Sequence, residues 1–188
     1  WELVYLSAQE LAKDAGKGFD GYICDIWSDK VAQRLLATGK PVVNTFIKKC
    51  GLRFPTVGPA QSDGIALGIE HFRQRNFTNL AFCGYAGVGF SEFQRIEFVR
   101  QTQDGSFKTF VYPSARRKNQ MDEVIKAMPI GQFEDSDEVE AWVKTLPNPV
   151  AIICCNDLRA HDMLKICQKL GRVLPEDVAI LGNDHDPV

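Results

Sequence analysis

Short apolar segments rich in β-branched residues alternate with longer amphipathic segments along the chain. The short segments predict strands near residues 2–7, 21–26, 41–45, 79–83, 107–112, 150–155 and 178–182. The longer segments repeat apolar residues with the period of an α-helix, and they predict helices near residues 8–15, 29–38, 61–75, 91–103, 119–128, 136–145 and 157–170. Strands and helices that alternate in this way are typical of an α/β fold built on parallel sheets.

The pattern leaves the domain organisation open. One compact sheet fits, and so do two smaller lobes joined at residues 53–62, where RFPTVGPAQS is extended and has two prolines. The chain opens almost directly on a predicted strand and stops soon after another. Because parallel strands need cover on both faces, we expect the fold to be incomplete at both ends.

Composition and charge narrow the possible partners. The chain of 188 residues is 45% hydrophobic and has a formal net charge of −2. This balance is ordinary for a globular protein and lacks the basic surface that direct nucleic-acid binding requires. The sequence has no apolar run of about 20 residues and no secretory signal at its first residues, so we expect a soluble protein without a membrane partner.

The cysteines predict buried thiols rather than disulfides or a metal site. Four of the six lie in apolar strand-like runs: Cys24, Cys83, Cys154 and Cys155. A thiol in such a run packs as a small hydrophobic group. The sequence has no C-x-x-C pair, and its three histidines are scattered. We therefore expect no metal, no cofactor and a reducing, cytoplasmic environment.

Polar residues follow several of the predicted strands. Ligands of open parallel sheets bind outside the carboxyl ends of the strands. Carboxylates, an amide and a guanidinium at those ends would suit the hydroxyl groups of a sugar. The candidate ligand-binding residues are Asp25, Ser91, Arg95, Asn156, Asp157 and Asp184.

Structural roles compete with binding at several positions. Asp29 and Asp157 are most simply N-caps of the helices that follow them, and for Asp29 this interpretation is preferred. Ser91 equally suits an N-cap, and Arg95 a surface residue near Glu92. For Ser91 and Arg95 the two interpretations are evenly balanced.

Enzymatic and nucleotide-binding motifs are absent from the sequence. The loop GYAGVG has its glycines at spacings other than G-x-G-x-x-G, and neither G-x-S-x-G nor H-E-x-x-H occurs. His185 lies between Asp184 and Asp186, but nothing marks a nucleophile or a metal that would complete a catalytic site. The sequence therefore predicts a binding module rather than an enzyme.

Several strings resemble the effector-binding core of the lactose and purine repressor family. They are PVVNTF, VGPAQSDGIALGIEHFRQRNFTNLAFCGYAG, Ser91 with Arg95, and VAIICCNDLRAHDMLKICQKLGRVLPEDVAILGNDHDPV. The most specific is LPEDVAILGND at residues 174–184. This resemblance implies a two-lobed fold like that of periplasmic binding proteins, with the ligand between the lobes. Residues 1–60 would be part of the first lobe, 61–184 the second lobe, and 185–188 the start of a return crossover.

The resemblance also implies roles for the candidates. Arg95 would donate two hydrogen bonds to sugar oxygens, and Asp184 would accept from hydroxyls. Of Asn156 and Asp157, one would face the ligand and the other would cap a helix. The remaining candidates are Asp25 and Ser91. One departure is clear, because Ala60-Gln61 stands where the family commonly has Asp-Asn.

The likeness is greatest to xylose-responsive members of the family. It implies a small sugar, D-xylose, as effector, DNA bound through a helix-turn-helix domain that is not in this chain, and a cytoplasmic homodimer. The alternative is a periplasmic-type solute-binding protein of a sugar transporter, since fold alone does not separate the two classes.

Overall fold

The computed structural model describes residues 2–6, 10–11, 18–26, 28–45, 54–86, 88–112 and 136–184. The chain divides into two compact units, Trp1–Pro59 and Ala60–Val188. Of the predicted helix at 8–15, only residues 10–11 are described, and they are helical. The predicted helix at 119–128 and the predicted crossover at 185–188 lie outside the described residues.

The first unit contains a small parallel β-α-β arrangement. Strand β1 (Tyr22–Cys24) leads to helix α1 (Asp29–Ala37) and then to strand β2 (Val42–Asn44). The two strands pair in parallel. Side chains from the strands and the helix form the core of this unit: Ile26, Ala32, Leu35 and Val42.

The second unit is built on a four-stranded parallel sheet in the order β4-β3-β5-β6. Its elements are α2 (Gln61–Arg73), β3 (Asn79–Cys83), α3 (Gly89–Gln101), β4 (Lys108–Tyr112), α4 (Ser136–Lys144), β5 (Val150–Cys154), α5 (Asp157–Lys169) and β6 (Val178–Leu181). The predicted α/β fold class with parallel sheets is confirmed, and these helices begin within two residues of their predicted starts.

Helices cover both faces of this sheet. Leu80 and Phe82 of β3 pack in one hydrophobic cluster with α2 and α3, whereas Ala81 and Cys83 pack in another with α4 and α5. Every residue of β5 is buried. The run VAIIC is continuously apolar because the side chains on both faces of β5 meet helices rather than water.

The predicted strand at residues 2–7 is wrong where the structure describes it. Residues 2–6 form no strand, and the side chains of Leu3 and Tyr5 are 86% and 93% exposed. Apolar residues alternate in this segment as they do in a half-buried strand. A strand also needs a neighbour for its backbone hydrogen bonds, and no described strand pairs with these residues.

The N-cap of α1 lies one residue before the predicted one. Ser28 has an extended backbone, and its hydroxyl accepts a hydrogen bond from the Val31 amide at 3.3 Å. Asp29 is the first helical residue, and its negative charge interacts favourably with the positive end of the helix dipole. The prediction that Asp29 caps the helix is therefore wrong, because the shorter serine side chain occupies the cap.

The cysteines within the described residues are free thiols. Cys83, Cys154 and Cys155 are fully buried at the ends of β3 and β5, and Cys24 is partly exposed. Burial raises the pKa of the Cys154 thiol well above its ordinary value. Burial likewise raises the pKa of Cys155 to about 12.

These buried thiols are expected to resist alkylation in the native protein. A raised pKa keeps the reactive thiolate scarce, and burial excludes the reagent. Mass spectrometry after iodoacetamide treatment should find Cys83, Cys154 and Cys155 unmodified, with Cys24 modified first. Denaturation in urea is the control and should make all of them reactive. Early modification of Cys155 in the native protein would contradict its burial.

No helix within the described residues is long and apolar enough to cross a membrane.

Candidate functional site

The loops that follow β3, β5 and β6 meet at one edge of the second unit's sheet. These strands are adjacent and parallel, so their carboxyl ends lie side by side. We call residues 84–86, 155–157 and 182–184 the carboxyl edge. Three of the candidate residues belong to it directly: Asn156, Asp157 and Asp184. Ser91 and Arg95 lie on the first two turns of α3, which follows β3.

The first turn of α5 organises this edge. Asn156 is the N-cap, and its side chain accepts from the Arg159 amide at 2.9 Å. Asp157 is the first helical residue, and its Oδ1 accepts from the backbone amides of Asn183 at 2.8 Å and Asp184 at 3.4 Å. The interpretation of Asp157 as the N-cap is therefore wrong, because Asn156 caps the helix. Asp157 instead fastens the loop after β6 to α5.

Gly182 allows Asp157 to reach that loop. A Cβ atom at Gly182 would collide with Asp157 Oδ1 and would lie 3.3 Å from its Cα. We expect Gly182→Ala to lower the free energy of unfolding by about 1–3 kcal/mol, as overpacking does. Urea denaturation measures this loss. In an Asp157→Ala background the same change should cost much less, since the colliding oxygen is gone. An equal loss in both backgrounds would contradict the contact.

Ser91 is buried and engaged with the loop after β3. Its hydroxyl accepts from the Tyr85 amide at 2.8 Å, and its side chain is 1% exposed. Helix α3 begins at Gly89 after the N-cap Val88, which makes no side-chain capping bond. The interpretation of Ser91 as an N-cap is therefore wrong, because the helix starts two residues earlier and its hydroxyl is directed back to the loop.

Electrostatic effects on Cys155 show which groups surround the end of β5. Burial is the largest cause of the raised pKa of this thiol, and the Arg159 guanidinium and a hydrogen bond with Ser91 oppose it. The Asp184 carboxylate raises the pKa further. Ser91 from α3 and Asp184 from the loop after β6 are thus brought to the same end of the sheet.

Arg159 is a site residue that the sequence did not reveal. Its side chain is 1% exposed, and Nη2 donates to the Gly84 carbonyl at 2.9 Å. The guanidinium carbon lies 4.1 Å from the centroid of the Tyr85 ring and 6.0 Å from that of Tyr112. Arg159 therefore ties the first turn of α5 to the ends of β3 and β4. In the sequence it looks like an ordinary arginine of a first helical turn.

Arg95 forms an ion pair with Glu92. Its Nε and Nη2 both lie 3.0 Å from Glu92 Oε2, and the two side chains are only 20% and 17% exposed. The predicted proximity of these two residues is confirmed. Whether Arg95 contacts a ligand stays a prediction, as it does for the other candidates.

Asp25 belongs to the first unit and follows β1. It is exposed, and its Oδ1 accepts from the Thr45 hydroxyl. Nearby, Asn44 Oδ1 accepts from the Ile26 amide at 2.9 Å. These two bonds connect the ends of β1 and β2, so that Asp25 lies at the carboxyl ends of the small sheet.

The residues at the expected crossover have structural partners. Ala60 is the N-cap of α2 and makes no side-chain capping bond. The Gln61 side-chain oxygen accepts from the amide of Gln94 on α3. The amide at this position therefore connects two helices, and Ala60 supplies no polar group.

A cavity of about 560 Å³ lies at the opposite, amino-terminal edge of the second unit's sheet. Its lining includes Phe72, Phe77, Pro149 and Pro175 and none of the candidate residues. Among the described residues, no group of three or more histidine, cysteine or acidic side chains could hold a metal ion. The candidate residues of the second unit thus lie away from this cavity.

A parallel sheet with helices on both faces and polar side chains at its carboxyl edge is the arrangement of α/β domains that bind ligands at that edge. The chain belongs to the periplasmic binding protein-like domain family, whose model matches residues 69–188. This match confirms the fold that the resemblance implied.

The chain is also similar to individual regulatory proteins and their solved structures. The Xylose operon regulatory protein of Haemophilus influenzae is 22% identical over 174 residues, which are 89% of this chain and 42% of that protein. The structure of the xylose-binding transcription activator xylR matches at a TM-score of 0.69 with 19% identity, over 90% of this chain and 44% of that chain. A ribose-bound LacI family regulator from Enterococcus faecium matches at 0.66 with 19% identity, over 94% and 63%.

Proposed function

We propose that this chain is the effector-sensing part of a bacterial transcription regulator and that its effector is a small sugar, D-xylose. The observation that carries the proposal is the carboxyl edge of the second unit, with Arg95 on the second turn of the helix that follows β3. It gathers the hydrogen-bonding groups that a polyol requires. The names of the similar regulators, two of which refer to xylose, support the choice of sugar.

The chemistry of the candidates suits vicinal hydroxyl groups. Arg95 carries a planar fork of N–H donors, and the Asp184 carboxylate carries only acceptors. A sugar hydroxyl donates and accepts at once, so it can join a guanidinium and a carboxylate. In this proposal Asp157 and Arg159 hold the loops in place, Asn156 caps α5 beside the sugar, and Asp25 is a further candidate contact.

Sugar binding would regulate DNA binding by shifting a conformational equilibrium. A ligand shifts such an equilibrium only by its difference in affinity for the two states, typically about 1–3 kcal/mol. The chain spans about two fifths of the length of the regulator from H. influenzae. The properties of the whole protein are likewise proposals. We propose that a helix-turn-helix domain outside this chain binds DNA, that the protein is a cytoplasmic homodimer, and that it has no catalytic activity.

Calorimetric titration of the full-length protein tests the ligand. D-xylose, L-arabinose, D-ribose and D-glucose are compared, with adenine and inorganic phosphate as chemically different controls. We expect D-xylose to bind most tightly and the two controls not to bind. Binding of adenine or phosphate without any sugar would overturn the proposed ligand class.

A DNA-binding assay separates the regulator from the transport alternative. The full-length protein is titrated with DNA from upstream of its own gene, with and without D-xylose. A change of DNA affinity on adding the sugar supports regulation. Sugar binding without DNA binding under either condition favours a solute-binding protein of a transporter.

A further inference from the structure

Arg95 is held by a carboxylate of its own helix. Glu92 lies three residues earlier on α3, and its Oε2 accepts from Arg95 Nε at 3.0 Å and lies 3.0 Å from Nη2. Both side chains are largely shielded from water, at 20% and 17% exposure. The pair is therefore formally neutral, in surroundings where solvent screens its charges less than at an open surface.

This pairing changes which ligands the guanidinium prefers. An arginine without an acidic neighbour is a strong binder of carboxylates and phosphates, because its fork matches two anionic oxygens. Because Glu92 is paired with the Arg95 guanidinium, an incoming anion must either displace the Glu92 carboxylate or bind next to its negative charge. A neutral hydroxyl meets no such repulsion and can accept from the other N–H groups of the guanidinium.

The charges at the carboxyl edge also disfavour the binding of anionic ligands. Asp157 and Asp184 both belong to this edge, and the Asp184 carboxylate lies close enough to Cys155 to affect its thiol. The positive charge of Arg159 is buried against Gly84 and Tyr85. A negatively charged ligand would therefore approach an edge that carries the exposed Asp184 carboxylate, and like charges brought together disfavour binding.

We propose that Glu92 is a specificity-determining residue that neutralises Arg95 and thereby selects uncharged sugars over sugar acids and other anionic sugars. The inference rests on the proposed function, since it presumes that Arg95 contacts the sugar. It deepens that function by assigning the rejection of anions to a residue that needs no contact with the ligand.

A second pair on the same helix provides a matched control. Arg100 donates to Glu97 Oε2 from Nε at 3.0 Å and from Nη2 at 2.7 Å, with the same three-residue spacing. Arg100 is 60% exposed, and Glu97 also accepts from Ser62 and Gln101. Neutralising Glu97 therefore removes the same charge from α3 at a pair that is not among the candidate binding residues.

The test compares two ligands that differ in charge at one position. D-glucose and D-glucuronate share the ring of D-xylopyranose and carry at C5 a hydroxymethyl group and a carboxylate, respectively. Calorimetry on the full-length protein measures both, together with D-xylose, for the wild type, Glu92→Gln and Glu97→Gln. The readout is the ratio of the D-glucose affinity to the D-glucuronate affinity, which cancels losses that affect both ligands equally.

We expect the wild type to favour D-glucose and Glu92→Gln to lower the ratio by roughly tenfold or more, as removal of a close like charge does. Glu97→Gln should leave the ratio unchanged, and Glu92→Asp should restore it. An unchanged ratio in Glu92→Gln, while D-xylose still binds, would overturn this inference and leave the proposed function standing. Absence of binding by every neutral sugar in the wild type would overturn both.

Discussion

Replacing Arg95 with alanine is expected to weaken D-xylose binding by roughly 100-fold or more with little effect on folding, because two hydrogen bonds from a charged donor are lost. Hydrogen bonds from a charged donor contribute about 1.5–3 kcal/mol each, and about 1.4 kcal/mol corresponds to a tenfold change in affinity. The Glu92–Arg95 pair is an i,i+3 contact of one helix, and its loss costs about 0.5 kcal/mol of stability. Calorimetry measures the affinity, and urea denaturation measures the stability.

Arg100→Ala is the matched control for that prediction. It removes an arginine from the same helix and breaks an ion pair of the same spacing, so sugar affinity should stay unchanged. Arg95→Lys should bind with intermediate affinity, because lysine keeps the charge but lacks the planar fork. Equal affinities of Arg95→Ala and the wild type would refute the assignment of Arg95 to the site.

The largest effect on stability is expected from Arg159→Ala, which should lower the free energy of unfolding by about 3–5 kcal/mol. The change removes the bond to the Gly84 carbonyl and the stacking on Tyr85, and it leaves a cavity beneath the loop after β3. The Gly84 carbonyl loses a charged donor in a buried setting, which adds to the cost. Urea denaturation of wild type and variant measures the difference.

Two further variants make this prediction specific. Lys165→Ala changes an exposed residue of the same helix and should alter stability by about 0.5 kcal/mol or less. Arg159→Met keeps much of the side-chain volume, so it should lose less stability than Arg159→Ala and remain measurable if the alanine variant fails to fold. If Arg159→Ala were as stable as Lys165→Ala, the buried arginine would have no structural role.

The sequence predicted the fold well where one physical signal dominated. The apolar run VAIIC at Val150–Cys154 is the most buried strand of the sheet, and the apolar stripe of Gln61–Arg73 buries Ile65, Ile69 and Phe72. Prediction failed at residues 2–6, where alternating apolar side chains imitate a strand. A strand is stabilised by backbone bonds to a neighbour, and the local pattern contains no information about that neighbour.

The placement of the candidate residues in the fold was predicted in part. Residues that follow strands could be identified because parallel topology places such positions at one edge. The structure then distinguished their roles, since Asn156 caps a helix, Asp157 holds a loop 26 residues away, and Ser91 binds the Tyr85 amide. Sequence distance hides such partners, so these structural roles became visible only in the tertiary structure.

Local hydrophobic periodicity by itself determined the alternation of strands and helices, the parallel sheet and the position of the polar edge, because these depend on which faces of each element avoid water. Only the tertiary structure decided that Arg159 is buried against Gly84 and that the Glu92–Arg95 pair is largely shielded from water. Both outcomes depend on which groups lie close in space and how far water is excluded from them. An isolated segment does not carry that information, because burial is a property of the packed chain.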